Sequence, residues 1–336
     1  MASATLAELR AVTYKKRDSW WTVLLVDPLA IHLVRLADRL RWVTPNRITL
    51  LAFVLGFGVA GCFLAADPVW LVTGAVLYHV TFILDCVDGK LARWQKSGSV
   101  IGGWLDFTLD QVRLVMCAIA LLGGQYLATG RGVFLLVAAV IVFLNMFRYF
   151  NGFVMERALF DLRERLTPST VGQRRAPSIG DDDPGDQNEA IPAAVAAGDG
   201  AAGDGAAGPV ISPTVNRSPV GRLRVWLTNR RIRLNVYSGI EFQMVVLIGA
   251  PLAGAAAGGV IGGAAAIGSA VLAVTVAACT IMVGFELAQT ARFLRSARQL
   301  LRAIGARSGE DVTDALGGEL PVQRPASATE ASRTRR

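Results

Sequence analysis

Six apolar blocks of about twenty residues each dominate this chain, and each is long enough to cross the hydrocarbon core of a bilayer. They lie roughly at 48–66, from Val69 through LVTGAVLYHVTFIL, then at 100–122, 132–153, 239–261 and 264–287. Inside lipid every backbone N–H and C=O must be satisfied within the segment, so blocks of this length fold as helices. The expected fold is therefore all-α: a polytopic membrane protein with six transmembrane helices. With 53% hydrophobic residues, the chain is too apolar for an ordinary soluble domain.

The punctuation between blocks is clear. Thr44 is placed as an N-cap and Pro45 as a first-turn residue of the first span. The run Ala66-Asp67-Pro68 breaks that span, Lys96-Ser97-Gly98 makes a turn, and Gly123-Gly124-Gln125 is expected to end the third span. Before the first span, residues 20–43 mix apolar positions with Asp27, Arg35, Asp38, Arg39 and Arg41. This pattern predicts an amphipathic interfacial helix, with Trp20, Trp21 and Trp42 near the headgroups.

Arg and Lys cluster at 35–47, 90–96, 157–175, 222–233 and 292–307, while the short turns at 66–68 and 123–131 hold only Arg131. Six alternating spans fit this bias with both termini cytoplasmic, in a multi-pass protein of the cell membrane. The organisation reads as an N-terminal cytoplasmic segment with the interfacial helix (1–43), spans one to four (44–157), a cytoplasmic insertion (158–235), spans five and six (236–290), and a basic helix with a polar tail (291–336). The part at 168–220 is rich in Gly, Ala, Pro and Asp and is expected to be disordered. Spans five and six are rich in Ala and Gly, which permits close helix packing and offers a face to a homodimer partner.

Formal net charge is +8, a value that also suits nucleic-acid binding. Here the basic residues flank apolar blocks, so a lipid bilayer is the expected partner and nucleic acid is not. The four cysteines form no close pairs or zinc spacing, and only two histidines are present.

Against this background residues 85–110, DCVDGKLARWQKSGSVIGGWLDFTLD, carry four aspartates. Asp85 and Asp88 are three apart and share a helix face; Asp106 and Asp110 are four apart and share a face of the next helix. Four carboxylates this close repel, and burying them unpaired would cost several kcal/mol each. A divalent cation resolves both problems, and Mg²⁺ prefers oxygen ligands together with substrate phosphate. Gly89 and Gly102 allow close approach to the backbone. Arg93 offers a fork to phosphate oxygens, and Lys90 and Lys96 add positive charge at the same level. Each charge singly fits a salt-bridged turn; the whole set fits a metal and phosphate site.

The stretch resembles the signature of the CDP-alcohol phosphotransferase family, DxxDGxxAR, eight residues, then GxxxDxxxD. Asp85, Asp88, Gly89, Ala92, Arg93, Gly102, Asp106 and Asp110 all fall in register. The resemblance extends over roughly 14–160 and 236–300, with the insertion as a departure. It implies transfer of a substituted phosphoryl group from a CDP-alcohol donor to a polar alcohol acceptor, with release of CMP. It implies a metal site of Asp85, Asp88, Asp106 and Asp110 for Mg²⁺ or Mn²⁺, two ions in all, the first three as ligands with Asp110 close to them, and Asp106 and Asp110 as the catalytic residues. Asp110 would be the general base, and Gly89, Ala92, Arg93, Gly102 and Asn46 would surround the CDP.

The acceptor is less legible. Arg148, Arg157 and Arg233 are candidates for holding a phosphorylated acceptor such as an inositol phosphate or glycerol phosphate, although Arg148 also fits an arginine snorkelling to the interface. The segment YKKRDSWW at 14–21 resembles the inositol-phosphate branch of the family. Three alternatives remain at this point: a CDP-inositol-type donor with an inositol phosphate acceptor, a divalent-cation transporter, and a non-catalytic membrane scaffold. Arg93 would oppose cation passage.

Overall fold

A computed structural model describes residues 5–40, 42–166, 219–233 and 237–308. Two helices precede the bundle. The first, α1 (Leu6–Thr13), opens with a capping box in which Thr5 and Glu8 bond each other's backbone N–H groups. The second, α2 (Asp27–Arg39), is entered through a π-turn at Thr22–Val26. Ala30, Ile31, Val34 and Ala37 on one face of α2 are buried. Leu25, Leu29, Leu33 and Leu36 form a second, exposed stripe at helical spacing. The helix thus packs on the bundle and still offers an apolar face outward, as an interfacial helix requires.

Among the described residues six helices are long and apolar enough to span a membrane. They are α3 (Pro45–Leu64), α4 (Pro68–Gln95), α5 (Val100–Thr129) and α6 (Val133–Leu166), then a span at Gly239–Val260 and a final long helix. Between α6 and the fifth span lies α7 (Pro219–Asn229). The fifth span is built from α8 (Gly239–Met244), a π-turn at Val245–Gly249, and α9 (Ala250–Val260). The sixth is α10 (Ala264–Ser308). Both π-turns end two residues before a proline, Pro28 or Pro251, whose missing N–H interrupts the regular ladder.

Local chemistry sets the joints. Asp67 accepts from the Val69 N–H (3.0 Å) to start α4, and Ser99 accepts from the Gly102 N–H (3.0 Å) to start α5. Thr44 occupies the N-cap of α3 but its side chain makes no capping bond, so Pro45 supplies the start signal. Helix α5 does not stop at Gly123-Gly124-Gln125; it runs to Thr129 and ends on Gly130 in the left-handed region (φ 70°). Gly124 is used instead for contact: an added β-carbon would strike the Phe63 and Leu64 carbonyls of α3.

Helices α6 and α10 also outrun their apolar blocks. In α6, Met155 and Leu159 stay buried four residues apart, so an amphipathic extension continues the helix. The Ala/Gly-rich spans pack closely: β-carbons at Gly254 and Gly258 would collide with Ile267 and Val271 of α10 or with Pro68. Helix α3 packs on α4 and α5, α9 on α4 and α10, α6 on α5 and α10, and α2 on α4. Phe63, Leu71, Tyr78, Leu121 and Phe134 lie in the shared core. The disorder expected at 168–220 falls outside the described residues up to 218, and Pro219 and Val220 instead open α7.

Candidate active site

Asp85 and Asp88 sit near the end of α4, and Asp106 and Asp110 near the start of α5. The intervening turn at Lys96–Ser99 reverses the chain, so the two pairs face each other. Asp85, Asp88 and Asp106 can each offer an oxygen such that all three oxygens lie within 4.8 Å of one another. Asp88 is buried. Its Oδ1 and the Oδ1 of Asp106 are buried oxygens with no hydrogen-bond partner among the described residues. Buried carboxylate oxygens are normally satisfied. An all-oxygen donor set with two such atoms fits a hard divalent cation. Among the described residues Asp110 falls outside this group.

Two neighbours shape the cluster, and neither was evident in the sequence. The Thr49 hydroxyl on α3 donates to Asp88 Oδ2 and orients that carboxylate. Arg113, with a side chain 5% exposed, places Nη2 2.6 Å from Asp110 Oδ1 and 3.2 Å from Asp85 Oδ1. The three-residue spacing of Asp110 and Arg113 was a usable signal; the contact to Asp85 was not.

The other motif residues surround the carboxylates. Gly89 and Ala92 follow Asp88 on α4. Arg93 is exposed, and its Nε donates to the Thr13 carbonyl (3.1 Å), which ties α1 to the site. Asn46 lies beside Gly102: a β-carbon there would sit 3.4 Å from Asn46 Oδ1. Lys90 behaves differently from expectation. It does not add charge to the site but turns away, buried, to Asp27 of α2 at 3.0 Å. Asp27 also accepts from Arg231 (3.3 Å), whose guanidinium lies over the Tyr14 ring. Burial, and then the Asp27 charge, push the Tyr14 phenol above its ordinary range, so it stays a donor to the Asp27 carbonyl (3.3 Å).

The three candidate acceptor arginines have different neighbours. Arg148 on α6 is buried, with its guanidinium 4.2 Å from the Tyr149 ring centre. Tyr149 meets Phe107, the residue after Asp106, edge-on at 5.2 Å. A β-carbon at Gly239 would collide with the Arg148 guanidinium, so that glycine makes room for it. Arg233 is buried beside Asp18 (3.9 Å), where residues 18 and 232 form a parallel bridge. Arg157 is exposed and pairs with Asp161 along α6 (3.4 Å).

A family model for CDP-alcohol phosphatidyltransferases matches residues 42–174, the segment that carries the whole aspartate cluster. A phosphatidylinositol phosphate synthase of Corynebacterium glutamicum is 31% identical over 160 residues, covering 44% of this chain and 68% of that protein. The chain belongs to the CDP-alcohol phosphatidyltransferase family. It is thus an enzyme that transfers a group from a CDP-alcohol to a second alcohol within a membrane. Two proteins named bifunctional IPC transferase and DIPP synthase match over shorter stretches. The one from Thermococcus kodakarensis is 41% identical over 69 residues, and the one from Aquifex aeolicus is 35% identical over 68. Each match covers 20% of this chain and 15% of the relative.

Proposed function

We propose that this family member transfers a phosphatidyl group from CDP-diacylglycerol to a hydroxyl of a phosphorylated polyol, an inositol phosphate first and glycerol phosphate second. The observation that carries this reading is buried Arg148 on α6, whose ring partner Tyr149 meets Phe107, the residue after Asp106 of the three-carboxylate cluster. A buried guanidinium on a helix packed against the one that carries Asp106 and Asp110 suits an acceptor that brings its own phosphate. The name of the Corynebacterium glutamicum relative points to the same acceptor class.

Asp85, Asp88 and Asp106 would hold Mg²⁺ or Mn²⁺, two ions, with Asp110 alongside. The ions would neutralise the donor diphosphate and the departing CMP. Gly89, Ala92, Gly102 and Asn46 leave room for the CDP, and Arg93 supplies a guanidinium to its phosphates. Asp110 takes the proton of the acceptor hydroxyl as its oxygen bonds to the phosphorus that bears the diacylglycerol. The bond from that phosphorus to the CMP oxygen breaks, and its electrons leave with CMP. The basic flanks support a cytoplasmic site with cytoplasmic termini.

The test is CMP release from CDP-diacylglycerol and Mg²⁺ by the purified protein in lipid nanodiscs, across inositol phosphate, glycerol phosphate, inositol and serine. Turnover with inositol phosphate is the expected result. Turnover only with the unphosphorylated alcohols, or only when CDP-inositol replaces the lipid donor, overturns the reading. No CMP from any pair, with Mn²⁺ crossing sealed vesicles, would instead favour a cation transporter.

A further inference from the structure

Asn145 stands one turn before Arg148 on the same face of α6, and both side chains are buried. We propose that Asn145 is a specificity-determining residue for the acceptor: its side-chain oxygen accepts a hydrogen bond from a hydroxyl of the polyol that does not itself react. This rests on the reading of the acceptor as a phosphorylated polyol with Asp110 as base.

Helices α5 and α6 follow one another through a short turn, so they run antiparallel. Two contacts fix their register. Tyr149 meets Phe107 edge-on at 5.2 Å, and Asn145 Nδ2 donates to Gln111 Oε1 at 2.6 Å. Asp110 immediately precedes Gln111, so Asn145 lies at the level of the base. Arg148 lies three residues further along α6, about 4.5 Å along its axis. A phosphorylated polyol has groups on this scale, with its phosphate a few bonds from the reacting hydroxyl and that hydroxyl's neighbours. The amide itself needs such a partner. Asn145 is 0% exposed, and its Oδ1 is buried with no hydrogen-bond partner among the described residues. Buried amide oxygens are normally satisfied, and one left without a donor is costly. The bond to Gln111 occupies the nitrogen side and leaves the oxygen as the free end. That end accepts and cannot donate, so it selects a hydroxyl and not a second phosphate.

The experiment compares wild type, Asn145→Leu and Asn145→Ser in nanodiscs. The acceptors are inositol phosphate, glycerol phosphate, and inositol phosphates in which each ring hydroxyl is replaced in turn by hydrogen. It reads the acceptor kcat/KM and the KM for CDP-diacylglycerol. Asn145→Leu is expected to lower acceptor kcat/KM on inositol phosphate by about 10–100-fold, while the donor KM stays within about threefold. One deoxy analogue should suffer a similar loss with wild type and no further loss with Asn145→Leu. Unchanged kcat/KM in the variant overturns the proposal. So does a variant that discriminates among the deoxy analogues as wild type does, as expected of a purely structural role. If Asn145→Leu does not fold, Asn145→Ser is judged by the same outcomes. Where wild type uses inositol phosphate, these failures remove only the role of Asn145. No turnover of either phosphorylated polyol by wild type removes the acceptor reading, and this proposal with it.

Discussion

The Lys90 ammonium lies 3.0 Å from the Asp27 carboxylate, and both side chains are about 5% exposed. Lys90 immediately follows Asp88-Gly89, so this contact fastens α2 to the helix that carries half of the carboxylates. Asp27 has a second cation in Arg231, whereas among the described residues Lys90 makes no other carboxylate salt bridge. Removing the acid should therefore hurt more than removing the lysine. Asp27→Ala is expected to destabilise by about 3–5 kcal/mol, and Lys90→Met by clearly less. Thermal unfolding in detergent measures both; equal losses would contradict the shared-node arrangement.

Asp110 should be needed for chemistry rather than for donor binding. Asp110→Asn is expected to lower kcat by about 10²–10⁴-fold while CDP-diacylglycerol affinity changes little. Equilibrium binding of the donor alongside CMP release checks this.

The carboxylate cluster should require a divalent ion. Chelation is expected to abolish turnover, with Mg²⁺ restoring it. Thr49 touches Asp88 and no other carboxylate in the described contacts, so Thr49→Val tests its orienting role. The Mg²⁺ concentration for half-maximal rate should rise by about 10-fold or more, the usual effect of losing a partner of a metal ligand.

Adjacent glycines on α5 should respond oppositely. A methyl at Gly124 meets the α3 backbone, so Gly124→Ala should destabilise by about 1–3 kcal/mol. At Gly123 an added β-carbon has nothing within 4 Å, and Gly123→Ala should be neutral or stabilising by about 0.5–1 kcal/mol. Thermal stability of the two variants provides the comparison.

Much of the architecture was legible because it follows short-range rules. Six apolar blocks match six spanning helices, and the cluster of Asp85, Asp88 and Asp106 follows from spacings of three and four on helices joined by a short turn. Helix ends were less legible. Helices α5, α6 and α10 continue past their apolar blocks because helical hydrogen bonds do not depend on lipid, and amphipathic faces such as Met155 and Leu159 keep packing. Helix α1 was announced by Thr5 and Glu8 at capping-box spacing, a signal easily passed over in a polar N-terminus.

The sequence by itself determined how many helices are long and apolar enough to cross the membrane and which carboxylates can share a site, since each depends on neighbours within a few positions. Tertiary structure alone decided that Lys90 turns to Asp27, that Thr49 orients Asp88, and that Arg113 joins Asp85 to Asp110. The Lys90, Thr49 and Arg113–Asp85 contacts link different helices, and helices can rotate about their axes without changing any local spacing. Only their packing, at contacts such as Gly56 against Arg113, sets that rotation and selects which charge meets which.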